Sequence, residues 1–279
     1  MKAMDVPQAA AWAGSARCSA SEDESTLAPG ARLLPALLRE DFYRLYDVLR
    51  TLDDLVDDCH PEAPERIGAL ERWLAGGAPD SPEAQICAAL RERRGLSLGA
   101  LSEFCAGMRH DIARRAIESE ADLEAYCQSI SGSIGLMVAS MIDIADGPGA
   151  AALAALGRAV QRVNILRDID EDAARGRCYI PAAIIERFGP PLPGERSELL
   201  RDQIAKAETL LDAALAALRL PAAVRPGVLL TAARYRDVLR SIEREQCGIG
   251  RQLQAASANG DARSSEASAL RWLTRPKTA

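Results

Sequence analysis

Apolar residues recur at spacings of three and four along most of the chain, the pattern of helices that bury one face. Over 33–58 the series Leu38, Phe42, Leu45, Leu49, Leu52 and Val56 marks one such face. The same period predicts further helices over about 64–75, 82–93, 97–117, 120–144, 148–174, 196–217 and 222–254. Strand-like alternation is weak throughout. Pro181, the GPPLPGE stretch at 189–195 and Pro221 fall between these segments, where helices should stop. Residues 1–28 are rich in Ala, Ser, Glu and Asp without periodicity and read as a flexible tail, as do residues 255–279. The expectation is one all-α domain over 29–254.

Composition supports a helical, aliphatic core. Hydrophobic residues make up 48% of the 279 positions but aromatic ones only 4%, so Ala, Leu, Ile and Val must fill the interior, and Ala and Leu favour helices. The formal charge of −6 argues against a nucleic-acid module, which needs a basic face. No apolar run reaches the 18 residues of a membrane span. No basic segment followed by an apolar one opens the chain, so a cytoplasmic location is expected. The seven cysteines include no CxxC pair and read as reduced, mostly buried thiols. His60 and His110, the two histidines, read as surface or packing residues and leave little material for a zinc site or a Ser-His-Asp triad. No glycine fingerprint of a dinucleotide site is present.

Two acidic motifs carry the candidate chemistry. In TLDDLVDD, Asp53 and Asp57 share a helical face, as do Asp54 and Asp58. Like charges at that spacing destabilise a helix by about a few tenths of a kcal/mol per pair. Such a face is either screened by solvent or holds a cation. In VNILRDIDEDAARGRCYIP (163–181), Asn164, Asp168 and Asp172 are spaced i, i+4, i+8, with Asp170 and Glu171 beside them and Arg167, Arg175 and Arg177 interleaved. The bland alternative is a salt-bridged helix. The chemical one is a diphosphate bridged by Mg²⁺, which takes carboxylate and phosphate oxygens, with arginine forks on the remaining phosphate oxygens.

With both motifs in place the chain resembles the squalene/phytoene synthase family of head-to-head prenyl synthases. The likeness runs through YDVLRTLDDLVDD (46–58), GMRHDIARRAIESEADLEAYC (107–127), SGSIG (131–135) and QRVNILRDIDEDAARGRCYIP (161–181). It implies a class I isoprenoid synthase fold, one helical domain around a central cavity. It implies Asp53 and Asp57 as ligands of the first motif and Asn164, Asp168 and Asp172 as ligands of the second, holding two or three Mg²⁺ ions. Arg50 and Arg167 are then diphosphate-binding cations. Tyr46, Tyr126 and Gln161 match polar positions of the cavity, with Tyr126 counted among the catalytic groups. Arg177 and Tyr179 would close the phosphate end, and Tyr235 would reach over the cavity from a C-terminal helix.

Departures from the family pattern bear on the second substrate. The segment near 19–35 has lost its aromatics and become acidic. Ala116–Ile117, Gln128, Ile130–Ser131 and Arg162–Val163 replace the usual residues, and the basic C-terminal segment is reduced to Arg251. With so few phenylalanines, the cavity is expected to have lost aromatic walls. The leading expectation is therefore transfer of a prenyl group from a prenyl diphosphate to a small non-prenyl acceptor, aromatic in kind. The alternatives are head-to-head condensation of two prenyl diphosphates and a terpene cyclase-like reaction; Asp168, Asp172 and the run through Gly176, Arg177, Tyr179 and Pro181 argue against the last.

Overall fold

The computed structural model describes residues 26–247, and every regular element among them is helical. In chain order these are α1 (Ala28–Ala31), α2 (Ala36–Asp57), α3 (Ala63–Leu74), α4 (Pro82–Arg94), α5 (Leu98–Ile112) and α6 (Glu120–Cys127). A π-helical turn (Gln128–Gly132) leads into α7 (Ser133–Met141), followed by α8 (Pro148–Arg167), α9 (Ile169–Ala174), α10 (Ala182–Phe188), α11 (Ser197–Ala217) and α12 (Arg225–Gln246). Apart from 26–28, the two expected tails and Arg251 lie outside the described residues.

Side chains next to the helices set several of their starts. Ser81 accepts a hydrogen bond from the Ala84 amide ahead of Pro82, and Ser97 accepts one from Ala100. Ser119 and Asp122 exchange hydrogen bonds in a capping box at the start of α6. The predicted helix over 97–117 stops at Ile112, where Arg114 takes a positive φ of 49° and turns the chain. The segment after Pro181 forms the short α10, which periodicity over so few residues does not reveal.

Two predicted helices contain breaks that apolar spacing cannot show. Within 120–144 the π turn inserts an extra residue between α6 and α7, a feature often found at functional sites. Within 148–174 the helix is interrupted at Asp168, which ends α8 and starts α9 with φ −97° and ψ 11°.

The helix α8 is the centre of the fold. It packs against α6, the π turn, α7, α11 and α12, and it is apolar nearly all round, as an enclosed helix must be. Alanines 150, 152, 154 and 159 are buried along it and let neighbours approach closely. The closest approach requires glycine: a Cβ on Gly157 would run into the Ser131 carbonyl, and one on Gly135 into the Leu153 carbonyl. Among the described residues no helix is long and apolar enough to cross a membrane.

Gly157→Val should lower stability by about 2 kcal/mol through overpacking between α8 and the π turn. Thermal denaturation checks this, and an unchanged melting temperature would show that the two backbones do not touch.

Candidate active site

Burying one face of α2 turns a second stripe towards a cavity. Leu45, Val48, Leu49, Leu52 and Val56 are buried, which leaves Tyr46, Arg50, Asp53 and Asp57, at spacings of four, three and four, on the cavity wall. The opposing stripe is Gln161, Asn164, Asp168 and Asp172. It survives the break at Asp168 because the Asp168 amide still bonds to the Asn164 carbonyl at 2.9 Å and the Asp172 amide to the Asp168 carbonyl at 2.8 Å. The two motifs thus face one another across one opening.

Arginines neutralise most of this acidity. Arg50 pairs with Asp53 at 3.3 Å and with Asp54 at 2.8 Å. Arg167 grips both oxygens of Asp168, each at 2.6 Å. Asp57 takes Arg177 on one oxygen and Arg175 at 3.5 Å on the other. Arg177 is buried beneath Asp57, also donating to the Val56 carbonyl at 2.7 Å, and does not line the cavity. Asp170 is turned away from the cavity onto Arg196, which holds its two oxygens at 2.5 and 2.6 Å.

Two of the cavity carboxylates are nonetheless under strain. Burial, then the charge of Asp57, pushes Asp53 from an ordinary value of 3.8 up to about 7. Burial, then the charges of Asp168 and Asp57, does the same to Asp172, also to about 7. The Asn164 side chain hydrogen-bonds Tyr235, whose pKa burial raises to about 12, while Asn164 Oδ1 is buried without a partner.

A buried carboxylate that the motifs did not single out organises the other wall. Asp111, from α5, accepts a hydrogen bond from Tyr126 at 3.0 Å and one from Tyr179 at 2.9 Å. The two rings stack with centroids 4.9 Å apart, and His110 packs on Tyr126 at 5.1 Å. Burial and the adjacent Asp111 charge raise both phenol pKa values, so both stay neutral. Ser131, on the π turn, donates to Gln161 Oε1 at 2.6 Å. The sequence signal for Asp111 is its place within a matched motif, and Ser131 stands out as a departure from the family pattern.

The cavity has a volume of about 660 Å³. Leu45, Leu49, Ile130, Ile134, Val160 and Ile165 give it an apolar floor. Phe42, Tyr46, Phe104, Tyr126, Tyr179 and Tyr235 all line it, among them the four tyrosines expected there, so the scarcity of phenylalanine has not left the cavity without aromatic walls. The few aromatic residues of this chain are concentrated here, so the average composition misled. Most of the departures from the family pattern also fall elsewhere. Ile117 is in the core, Gln128 bonds Glu103 and Arg158, and Arg162 is buried against Glu120 and Glu124 between α6 and α8. Of the altered positions within 116–163, only Ile130 and Ser131 reach the cavity.

The donor set suits a hard divalent ion, being made of carboxylate and amide oxygens. Desolvated carboxylates with raised pKa values and an orphaned Asn164 oxygen are groups that a cation between the stripes would satisfy. As the side chains stand, no cluster of three carboxylates among the described residues is close enough to hold an ion. Asp57 and Asp168 are instead engaged by arginines.

The fold and the facing acidic stripes define the class. A dehydrosqualene synthase crystal structure superposes with a TM-score of 0.78 at 21% identity, covering 91% of this chain and 94% of that one. A squalene synthase from Alicyclobacillus acidocaldarius gives 0.70 at 24% identity, over 81% and 89%. The fold is therefore that of the squalene synthase-type isoprenoid synthases. The squalene/phytoene synthase profile matches residues 22–257, and the chain belongs to that family. A phytoene synthase of Thermus thermophilus is 31% identical over 226 residues, 75% of this chain and 76% of the relative. A presqualene diphosphate synthase of Zymomonas mobilis subsp. mobilis is 34% identical over 178 residues, 60% of each chain. The chain spans about 60% of the length of the presqualene diphosphate synthases it matches. With this family and these relatives, the expected aromatic acceptor loses its support, and the head-to-head alternative fits better.

The strained acids give a pH prediction. Asp53 and Asp172 ionise near 3.8 when unfolded and at about 7 when folded, so the folded chain binds more protons between those values. Their contribution to stability is present at low pH and is lost as pH rises through that window. In chelator-treated protein, Asp53→Asn should melt above the parent by a margin that opens between about pH 4 and 7. Asp57→Ala should melt lower by about 2 kcal/mol, because it leaves Arg177 buried without its carboxylate. Parallel melting curves for parent and Asp53→Asn across that range would refute the repulsion.

Proposed function

We propose that this chain ionises an allylic prenyl diphosphate and joins the cation head-to-head to a second prenyl diphosphate, releasing pyrophosphate with Mg²⁺ as cofactor. The observation that carries this reading is that two acidic stripes line one cavity together with aliphatic and aromatic side chains. Relatives named presqualene diphosphate synthase and phytoene synthase support the choice of a second prenyl diphosphate over an aromatic acceptor.

Asp53, Asp57, Asn164, Asp168 and Asp172 would hold the ions, which when bound neutralise charge on the leaving pyrophosphate. Arg50 and Arg167, about half exposed at the mouth, offer forked donors to the same group. The allylic C1–O bond breaks and its electron pair leaves with pyrophosphate. Phe42, Tyr46, Phe104, Tyr126 and Tyr179 line the cavity, and aromatic and aliphatic walls would favour a cation and exclude the water that would quench it. A π-bond of the second prenyl diphosphate attacks C1, and a proton is lost from the adduct. Asp111 fixes Tyr126 and Tyr179, and their raised pKa values keep them from serving as phenolates. The departing pyrophosphate is then the base with charge available beside the cavity.

Purified protein with Mg²⁺ and farnesyl or geranylgeranyl diphosphate should release pyrophosphate and form a C30 or C40 product. Asp53→Ala and Asp168→Ala should each cut release by about a thousandfold, equivalent to about 4 kcal/mol, with far-ultraviolet circular dichroism unchanged. Pyrophosphate release that requires an added electron-rich aromatic would restore the aromatic acceptor. Undiminished turnover in both variants would remove the metal assignment.

A further inference from the structure

Two arginines share Asp57, and their surroundings differ. Arg177 is a fixed partner: its side chain is 6% exposed, and it is tied to Asp57 and to the Val56 carbonyl. Arg175 lines the cavity, and its side chain is 37% exposed. It reaches Asp57 only at 3.5 Å, and its other pair, at 3.0 Å, is with exposed Glu171.

The Arg175 backbone is nonetheless fixed. Its amide bonds the Glu171 and Asp172 carbonyls, each at 3.1 Å, and Gly176 then reverses the chain with φ +71°. A firm base, a partly exposed stem, a long contact to Asp57 and a second pair with an exposed glutamate allow the guanidinium to change partner without any movement of the helices. Its charge acts on Asp54, Asp57 and Asp172, which lie on both stripes. It therefore stands between the two acidic faces, where a divalent ion would also be drawn.

We infer that Arg175 is an exchange cation: without a divalent ion it pairs with Asp57 Oδ2, and when such an ion takes that oxygen it transfers to the pyrophosphate group of the substrate. This rests on the metal-dependent reading above and adds a diphosphate ligand to it. A divalent ion at Asp57 and the Arg175 guanidinium compete for the same carboxylate, and the arriving positive charge repels the guanidinium. The displaced fork keeps only the exposed Glu171 beside it, and a pyrophosphate entering the cavity that Arg175 lines offers a more highly charged anion. Metal and pyrophosphate binding are coupled through this one side chain.

The test measures binding to the full chain. Mn²⁺ alone is titrated by electron paramagnetic resonance, and inorganic pyrophosphate by calorimetry at saturating Mg²⁺. Arg175→Gln should bind Mn²⁺ about threefold more tightly, because a competitor is gone, and pyrophosphate about tenfold more weakly. Arg175→Lys, which keeps the charge without the fork, should leave Mn²⁺ binding near the parent value and still weaken pyrophosphate binding. Arg114→Gln removes an exposed arginine that contacts Cys59 and not the cavity, and should change neither. Arg175→Gln affinities that shift in the same direction, unaltered pyrophosphate binding, or an equal effect from Arg114→Gln would each overturn the exchange. A parent protein that binds neither Mn²⁺ nor pyrophosphate would overturn the metal-dependent reading as well.

Discussion

The carboxylates of α2 face those of the α8–α9 junction across one opening, and like charges at that range resist being held together. Burial deepens the conflict, so Asp53 and Asp172 sit far above ordinary carboxylate pKa values. The rest of the molecule has to hold this arrangement in place. The central position of α8, wrapped by α6, α7, α11 and α12, supplies packing on nearly every side of the helix that carries the second stripe. Gly157 and Gly135 draw the π turn and α7 onto it backbone to backbone. Arg177, buried under Asp57, ties the end of α2 to the segment that follows α9.

The same logic separates the acids that are poised from those that are satisfied. Asp170 belongs to the most acidic stretch of the chain, yet Arg196 holds both of its oxygens and keeps it out of the cavity. Asp111 has no acidic neighbours in sequence, yet it is the anchor for two phenols that wall the cavity. Proximity in sequence marks where charge is dense. Partnership in space decides which charge is left to act on a ligand.

Much of the site was legible because a helix converts spacing into position. Tyr46, Arg50, Asp53 and Asp57 recur at four, three and four residues, and Gln161, Asn164, Asp168 and Asp172 at three, four and four, so each set falls on one face wherever the helix is placed. The break at Asp168 was hidden, because it changes backbone angles while keeping the i, i+4 hydrogen bonds and the stripe. The Asp111 cluster was hidden for a different reason: its partners lie 15 and 68 residues away, and no local pattern links them. Arg162 misled in the opposite sense. It stands two residues before Asn164 and looks like a site substitution, yet the helix turns it away from the cavity to Glu120 and Glu124.

The arginine excess shows why composition has to be read residue by residue. Three lysines against a large number of arginines is compatible with simple base-composition bias. At exposed pairs such as Arg44 with Glu40, either cation would serve. At three positions it would not. Arg167 uses two nitrogens on Asp168, and Arg177 joins a carboxylate to a main-chain carbonyl. Arg196 reaches Asp170, Gln246 and the Pro191 carbonyl at once. An ammonium at the end of a lysine lacks the planar fork that such contacts need. Through these three residues the end of α2, the α8–α9 junction, the start of α11 and the end of α12 are tied to the acidic segment, so the planar cation is part of how the acidic centre is framed.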